Sequence, residues 1–223
     1  MHTMNANELV KKEIEAAMAS LALRRPIFHS ERDFQFELAW ELRLQNPKLP
    51  IRLERRFMVD EDRFDVDISY KCQGQSVGIS PALQVVIEIK LFKTKFEWNQ
   101  AGEDFNLPFA RWKKNRYDFA KDILRLERLV GKCGSNESSL ADVGFAIGLG
   151  NDSRLWLKQD LECEVGPPYE LSEGTILKGG DTFSDLEVLH LKSEYPITWS
   201  PYSRVDAVGP SEFKWLMVMV ERS

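Results

Sequence analysis

Two charged residues, Glu88 and Lys90, lie near the end of an apolar run over residues 84–91. Alternate residues of a β-strand point to the same face of its sheet, so these two side chains share a face. Removing each charge from water costs several kcal/mol, and an otherwise apolar strand would not carry both without a use for them. The preceding predicted strand carries Asp65 and Asp67, which alternation also places on one face.

These residue types in this order indicate metal-dependent hydrolysis of a phosphodiester. Two carboxylates and the backbone carbonyl of Ile89 would hold Mg²⁺ or Mn²⁺, and the metal would polarise the phosphodiester and acidify a water, which Lys90 positions or deprotonates. A hard cation prefers oxygen ligands. The chain has only three histidines and three cysteines, with no CxxC pair, so a metal site built on nitrogen or sulfur is not expected.

The triplet Glu88-Ile89-Lys90 is not specific by itself. About one E-x-K triplet is expected by chance in a chain of this length, given background frequencies near 6–7% for each charged residue. Glu212-Phe213-Lys214 is a second one, but it precedes its predicted strand and no carboxylate-bearing strand leads into it. The signal is therefore the context of the first triplet.

Hydrophobic periodicity and capping residues predict the elements that position these side chains. The predicted helices are 7–22, 31–45 and 116–130, and the predicted strands are 51–59, 63–70, 84–91, 142–149 and 213–220. Ser30 is expected to cap the second helix. Residues 96–112 are expected to be irregular, and residues 151–212 to form loops and hairpins on the same domain.

This order of elements and charged residues resembles the PD-(D/E)xK nuclease superfamily over about residues 26–150. The resemblance implies an α/β, restriction-endonuclease-like core (αβββαβ) with a mixed central sheet flanked by helices. The segments RPIFHSERDFQFELAWEL, IEIK and RYDFAKDILRLERLV further resemble an uncharacterised group of bacterial proteins within that superfamily. The chain would then comprise an N-terminal helix (1–25), the nuclease-like core (26–150) and a loop- and hairpin-rich extension of the same domain (151–223).

The resemblance also implies a set of site residues. The residues that correspond to the catalytic positions are Glu31, Asp65 or Asp67, Glu88 and Lys90. Of these, one aspartate and Glu88 would bind Mg²⁺ or Mn²⁺ together with the Ile89 carbonyl. Which aspartate is the ligand stays open, and neither is preceded by the proline that is common in the superfamily. Glu31 has a simpler interpretation too, as a carboxylate that stabilises the first turn of its helix.

The implied activity is a metal-dependent endonuclease, and we expect it to act on DNA in restriction, repair or defence. The alternative is a nuclease-fold protein that no longer cleaves and serves as a nucleic-acid-binding or scaffold module. The filled catalytic positions favour the enzyme. The net charge of −5 mildly favours the module, because a nuclease that ignores sequence is often basic.

A basic stretch with interleaved aromatic residues surrounds the predicted site. Between residues 88 and 128, ten Lys and Arg residues meet seven Asp and Glu residues. Phosphate neutralisation and base stacking use such a mixture. The expected substrate contacts are Gln35, Lys93, Lys95, Tyr117 and Arg125. The same pattern is typical of a loop that packs its aromatic rings on the core while its charges form solvated ion pairs.

Other features bear on location and on competing functions. No apolar run approaches 18 residues, which argues against a membrane partner, and the start of the chain lacks a secretory signal pattern. The odd, widely spaced cysteines indicate a reducing, cytoplasmic setting. Gly74-Gln75-Ser76-Val77-Gly78 matches a nucleophile elbow but lies at a predicted turn. The sequence leaves open whether the hairpins of 151–212 carry substrate specificity or a homodimer interface.

Overall fold

A mixed β-sheet with helices on both faces forms the centre of the protein. The computed structural model describes residues 5–59, 61–72, 82–100, 102–108, 112–131, 140–158, 169–180, 186–206 and 210–222. The fold is α/β, as the sequence predicts. The nucleophile-elbow match at 74–78 lies outside the described residues.

Along the described part of the chain, two helices are followed by five strands, a third helix and five more strands. The helices are α1 (Ala6–Arg24), α2 (Glu31–Gln45) and α3 (Trp112–Val130). The strands are β1 (Arg52–Val59), β2 (Asp62–Cys72), β3 (Leu83–Phe92), β4 (Phe96–Gln100), β5 (Glu103–Leu107), β6 (Val143–Gly150), β7 (Ile176–Leu177), β8 (Tyr195–Pro196), β9 (Trp199–Arg204) and β10 (Glu212–Glu221).

The central sheet has six strands in the order β1-β2-β3-β6-β10-β9. β3 and β6 are parallel, with Lys90 opposite Gly148, and the other neighbouring pairs are antiparallel. The prediction of a mixed central sheet is confirmed. β9 and β10 belong to the C-terminal part of the chain, so that part completes one side of the sheet.

Two hydrophobic layers cover the two faces of the sheet. α1 and α2 pack on one face, and α3 packs on the other. α2 begins where the sequence predicts, because the Ser30 hydroxyl accepts a hydrogen bond from the Asp33 amide at 3.1 Å. In α3, Phe119, Ile123 and Leu126 form the buried stripe. Among the described residues, no helix is both long enough and apolar enough to cross a membrane.

The segment 96–112 differs from its prediction, because β4 and β5 form a hairpin there and α3 begins at Trp112. Phe96 and Phe105 pack into the same hydrophobic layer as α1 and α2. Gly102 supplies the positive φ of +85° that the turn requires. Strands of five residues are too short for their alternation to stand out in a sequence, which explains the wrong prediction.

Candidate active site

The candidate site lies where β2 and β3 separate. The strands pair as far as Ile68 of β2, and beyond it carboxylates replace β2 as partners of the β3 backbone. Asp67 Oδ2 accepts a hydrogen bond from the Ile89 amide at 2.7 Å, and Glu31 Oε2 accepts one from the Leu91 amide at 3.0 Å. The amide and carbonyl of a strand residue point to the same side, so the Ile89 carbonyl faces this opening too.

The carboxyl groups of Asp67 and Glu88 lie within hydrogen-bonding reach of each other. Glu88 is only 4% exposed. Burial raises its pKa well above the usual range, and the Asp122 carboxylate adds to the increase. Burial also raises the pKa of Asp67 to about 6, although the hydrogen bond from Ile89 opposes the shift. The pair therefore keeps a proton at pH values where isolated carboxyl groups have lost theirs.

Lys90 stands between carboxylates from two helices. Its Nζ lies 3.2 Å from Asp122 Oδ2 on α3 and 3.7 Å from Glu31 Oε1 on α2. Burial lowers the pKa of Lys90, but the nearby carboxylates outweigh it, so the net pKa is raised above the usual lysine value. The side chain is therefore an ammonium at neutral pH. This geometry suits a residue that orients or stabilises charge rather than one that removes a proton.

α3 supplies two charged residues, of which the sequence identified only Arg125 as a site residue. Asp122 is buried and binds both Lys90 and Arg125, whose Nη1 lies 3.2 Å from Asp122 Oδ1. A signal for Asp122 exists in the sequence, because it lies three residues after Phe119 and four before Leu126. A carboxylate on the apolar stripe of a helix is a candidate for a buried partner.

Glu54 of β1 is a further residue that sequence reasoning missed. Its backbone has a φ of +50°, a strained value for a residue with a side chain. Gln35 Nε2 donates to Glu54 Oε1 at 3.0 Å and to the Asp67 carbonyl at 2.7 Å, so Gln35 braces the strands instead of facing a substrate. Beside Glu54, the apolar side chains of the β1–β2 hairpin change from one face of the sheet to the other. Val66 packs on the face covered by α3, and Ile68 packs on the face covered by α1 and α2.

The structure does not bring the Asp65 carboxylate to this cluster. Asp65 accepts hydrogen bonds from Arg56 Nε at 2.9 Å and from Arg63 Nη2 at 2.7 Å. Those bonds, from Arg63 first and then Arg56, lower the pKa of Asp65 to about 2. The change of face beside Glu54 puts Asp65 and Asp67 on opposite faces of the sheet, although simple alternation places both on the same face. Of the two candidate aspartates, only Asp67 directs its carboxylate at the cluster, whereas Asp65 contacts it through its backbone carbonyl, which accepts a hydrogen bond from Arg125 at 2.9 Å.

Of the other expected substrate contacts, Tyr117 is buried among protein side chains. Tyr117 is 5% exposed and packs edge-on against Tyr169, with ring centroids 5.7 Å apart, so its ring cannot stack on a base. Lys95 pairs with Glu97 at 3.5 Å. Lys93 is half-buried in the segment after β3. Base stacking by Tyr117 is therefore not supported by its position, and phosphate contact by Lys93 and Lys95 stays a prediction.

Much of the basic stretch around the site is used within the protein. Lys114 Nζ lies 2.6 Å from Asp118, and Arg128 Nη2 lies 2.7 Å from Asp62. Phe105 is buried in the hydrophobic layer of α1 and α2. Phe109 and the side chain of Trp112 lie outside the described residues. The described part of the stretch thus agrees better with packed rings and ion pairs than with an open binding surface.

The charge of the cluster favours a bound cation. Its carboxylates, Glu31, Glu54, Asp67, Glu88 and Asp122, outnumber its cations, which are Lys90, Arg125 and Arg32, the partner of Glu54 at 3.8 Å. The buried Oε1 of Glu88 accepts no directed hydrogen bond from any residue that the structure describes, although the Arg125 Nη2 lies 3.1 Å from it. However, no three His, Cys, Asp or Glu side chains of the described residues are grouped so that they could hold a metal ion. Asp67, Glu88 and the Ile89 carbonyl are nevertheless oxygen donors of the type that a hard cation prefers.

Comparisons with known proteins found no matching family model, no matching curated protein and no matching solved structure. The function of this chain must therefore be inferred from its own residues and their contacts.

Proposed function

We propose that the chain is a restriction-endonuclease-like nuclease of the PD-(D/E)xK type, which hydrolyses phosphodiester bonds in DNA with Mg²⁺ or Mn²⁺. The observation that carries this proposal is the meeting of Asp67, Glu88 and Lys90 where β2 and β3 separate, with Glu31 on the adjacent backbone. The order α2, β1, β2, β3, α3, β6 along the chain supports it, with the β4–β5 hairpin inserted between β3 and α3.

Each residue has a role that its contacts support. Asp67, Glu88 and the Ile89 carbonyl would hold the metal, which when bound supplies Lewis acidity and an acidified water. Glu31 is held in place by the Leu91 amide and would bind the metal either directly or through a water molecule. Lys90, kept charged by Asp122 and Glu31, would orient the attacking water and stabilise the charge that develops on the phosphate.

The direct test is cleavage of a panel of labelled nucleic acids in Mn²⁺. The panel contains single-stranded, duplex, flapped and four-way DNA, and RNA. We expect the wild type to cleave at least one DNA, and Lys90→Ala to lower the rate about a hundredfold or more, because a preorganised charge aimed at the reacting group is worth that much. Lys71→Ala removes the same charge from an exposed position of β2, opposite Gln84, and should cleave within about twofold of the wild-type rate.

Two outcomes would contradict the nuclease. Equal cleavage by the wild type and Lys90→Ala would point to a contaminating enzyme. Binding of the panel by both proteins, with no cleavage by either, would favour a nuclease-fold module that no longer cuts. Thermal denaturation with and without Mn²⁺ separates these cases further, because a ligand that binds only the native state must raise its melting temperature.

A further inference from the structure

Helix α2 carries two apolar stripes, and the described residues cover only one of them. The stripe that packs against the sheet consists of Phe34, Leu38 and Leu42. The other, which we call the outer stripe, consists of Phe36, Trp40 and Leu44. These three residues follow one another at four-residue spacing and therefore share a face of the helix. Their exposed fractions are 55%, 61% and 53%, so this face is apolar and open.

The end of α1 adds apolar surface beside the outer stripe. The Arg24 guanidinium binds the Glu41 carboxylate, which brings the end of α1 next to the middle of α2. Leu23 directly precedes Arg24 and is 89% exposed. Because an aromatic side chain presents roughly 150–250 Å², the outer stripe and Leu23 together expose roughly 500 Å² of apolar surface. A contiguous apolar patch of this size on a soluble protein often marks a binding surface.

Charged residues of both signs flank the outer stripe. Glu37 and Arg43 lie three residues before and after Trp40, and a helix turns about 100° per residue, so they lie on opposite sides of the stripe. Arg32 is eleven residues, or about three turns, before Arg43 and lies on the same side. Nucleic acid or an anionic membrane would meet the Glu37 carboxylate on this face and a net charge of −5 on the chain. A second copy of this chain supplies both signs of charge.

We propose that the chain forms a two-fold symmetric homodimer through the outer stripe, with Trp40 at the symmetry axis and the two α2 helices parallel. The stripes then pair with themselves, as an interface between identical surfaces requires. Glu37 of each copy lies level with a point between Arg32 and Arg43 of the other. The offsets are about 7.5 and 9 Å along the helix, which these long side chains can span. Antiparallel helices would instead collect the arginines of both copies on one side and both Glu37 carboxylates on the other.

The size of the patch sets the expected affinity. Two copies would bury roughly 1,000 Å² of apolar surface, which is at the lower end for a specific interface. We therefore expect a dissociation constant on the order of micromolar. The dimer does not depend on the chemistry proposed for the site. Because Glu31 is the first residue of α2, parallel helices would place the two candidate sites at the same end of the pair.

Sedimentation equilibrium of the full chain in EDTA, between roughly 1 and 200 μM, tests the dimer. We expect the wild type to change from monomer to dimer over this range. Trp40→Gln should raise the dissociation constant about tenfold or more, because the two-fold axis puts the substituted residue in the contact twice. Met58→Gln is the matched control, since it removes an apolar side chain that is 52% exposed but belongs to β1. It should dimerise as the wild type does.

Cysteine cross-linking tests the orientation of the two helices. Parallel helices place positions 36 and 40 opposite themselves, so Phe36→Cys and Trp40→Cys should each form a disulfide-linked dimer under mild oxidation. Antiparallel helices would hold the two copies of position 36 about 12 Å apart, which is too far for a disulfide. The wild type measures the background from the chain's own cysteines, and Met58→Cys measures the background from an exposed cysteine elsewhere.

Three results would overturn the proposal. A wild type that stays monomeric over the whole range excludes the dimer, and binding of single-stranded DNA that requires Trp40 would then assign the face to nucleic acid. A dimer that Trp40→Gln leaves unchanged must use another surface. Cross-linking of Trp40→Cys without cross-linking of Phe36→Cys would replace the parallel arrangement by an antiparallel one, and with it remove the pairing of Glu37 with Arg32 and Arg43.

Discussion

Replacing Asp67 with asparagine is expected to raise the melting temperature of the metal-free protein at pH 8 by roughly 5–10 °C. Burial raises the pKa of Asp67 to about 6, and the Glu31, Asp122 and Glu54 carboxylates add to the shift. A carboxyl group with a raised folded-state pKa contributes stability below its unfolded pKa and loses that contribution as the pH rises through about 6. Ionised Asp67 therefore costs up to about 3 kcal/mol of unfolding free energy at pH 8.

Asparagine removes this cost and keeps the geometry of the site. Its side-chain oxygen can still accept the hydrogen bond from the Ile89 amide, and its NH₂ can donate to Glu88. The gain should shrink as the pH falls toward 4, because wild-type Asp67 is then protonated. Thermal denaturation in EDTA across pH 4–8 measures the effect. A gain that does not change with pH, or a loss of stability at pH 8, would contradict this account.

Asp65→Asn is the matched control, because it makes the same chemical change two residues away. The pKa of Asp65 is lowered to about 2 by Arg63 and Arg56. Its carboxylate therefore contributes stability above its unfolded pKa, and that contribution is lost as the pH falls through about 2. Its removal should slightly destabilise the protein at pH 8, the opposite sign to Asp67→Asn. Mn²⁺ should stabilise the wild type and Asp65→Asn but not Asp67→Asn.

The sequence predicts the elements whose limits are encoded locally. The helix over 31–45 begins and ends where predicted, because Ser30 caps it and its apolar stripe is continuous. The long apolar run of β3 is equally clear. The hairpin of β4 and β5 is not, since its strands are five residues long and pack through only a few rings.

The candidate site is predicted in part, for a related reason. Glu88 and Lys90 are conspicuous because they are charges in an apolar strand. The choice between Asp65 and Asp67 depends instead on a change of face in the β1–β2 hairpin, beside a positive φ at Glu54, and no alternation pattern contains that information. Asp122 belongs to α3 and Lys90 to β3, so spacing within either element cannot show the contact between them.

Glu127 is expected to be the residue whose loss most weakens the attachment of the C-terminal part of the chain to α3. Its carboxylate accepts hydrogen bonds from the Lys192 amide at 2.9 Å, the Ser193 amide at 3.1 Å and the Tyr195 hydroxyl at 2.8 Å. The side chain is 4% exposed. One buried acceptor thus satisfies donors of a segment that has little regular structure of its own.

Glu127→Ala should lower the free energy of unfolding by about 3 kcal/mol, because it leaves the buried Tyr195 hydroxyl and two part-buried amides without this acceptor. Urea denaturation measures the change. Tyr195→Phe removes one of the three donors and should cost about 1 kcal/mol, and Glu127→Gln should fall between the two because its amide keeps one acceptor. A loss below about 1 kcal/mol for Glu127→Ala would mean that residues 192–195 are not anchored to α3 in solution. Since Glu127 contacts none of the proposed metal ligands, the folded variant should retain the wild-type Mn²⁺ affinity, which separates this anchor from the chemistry of the site.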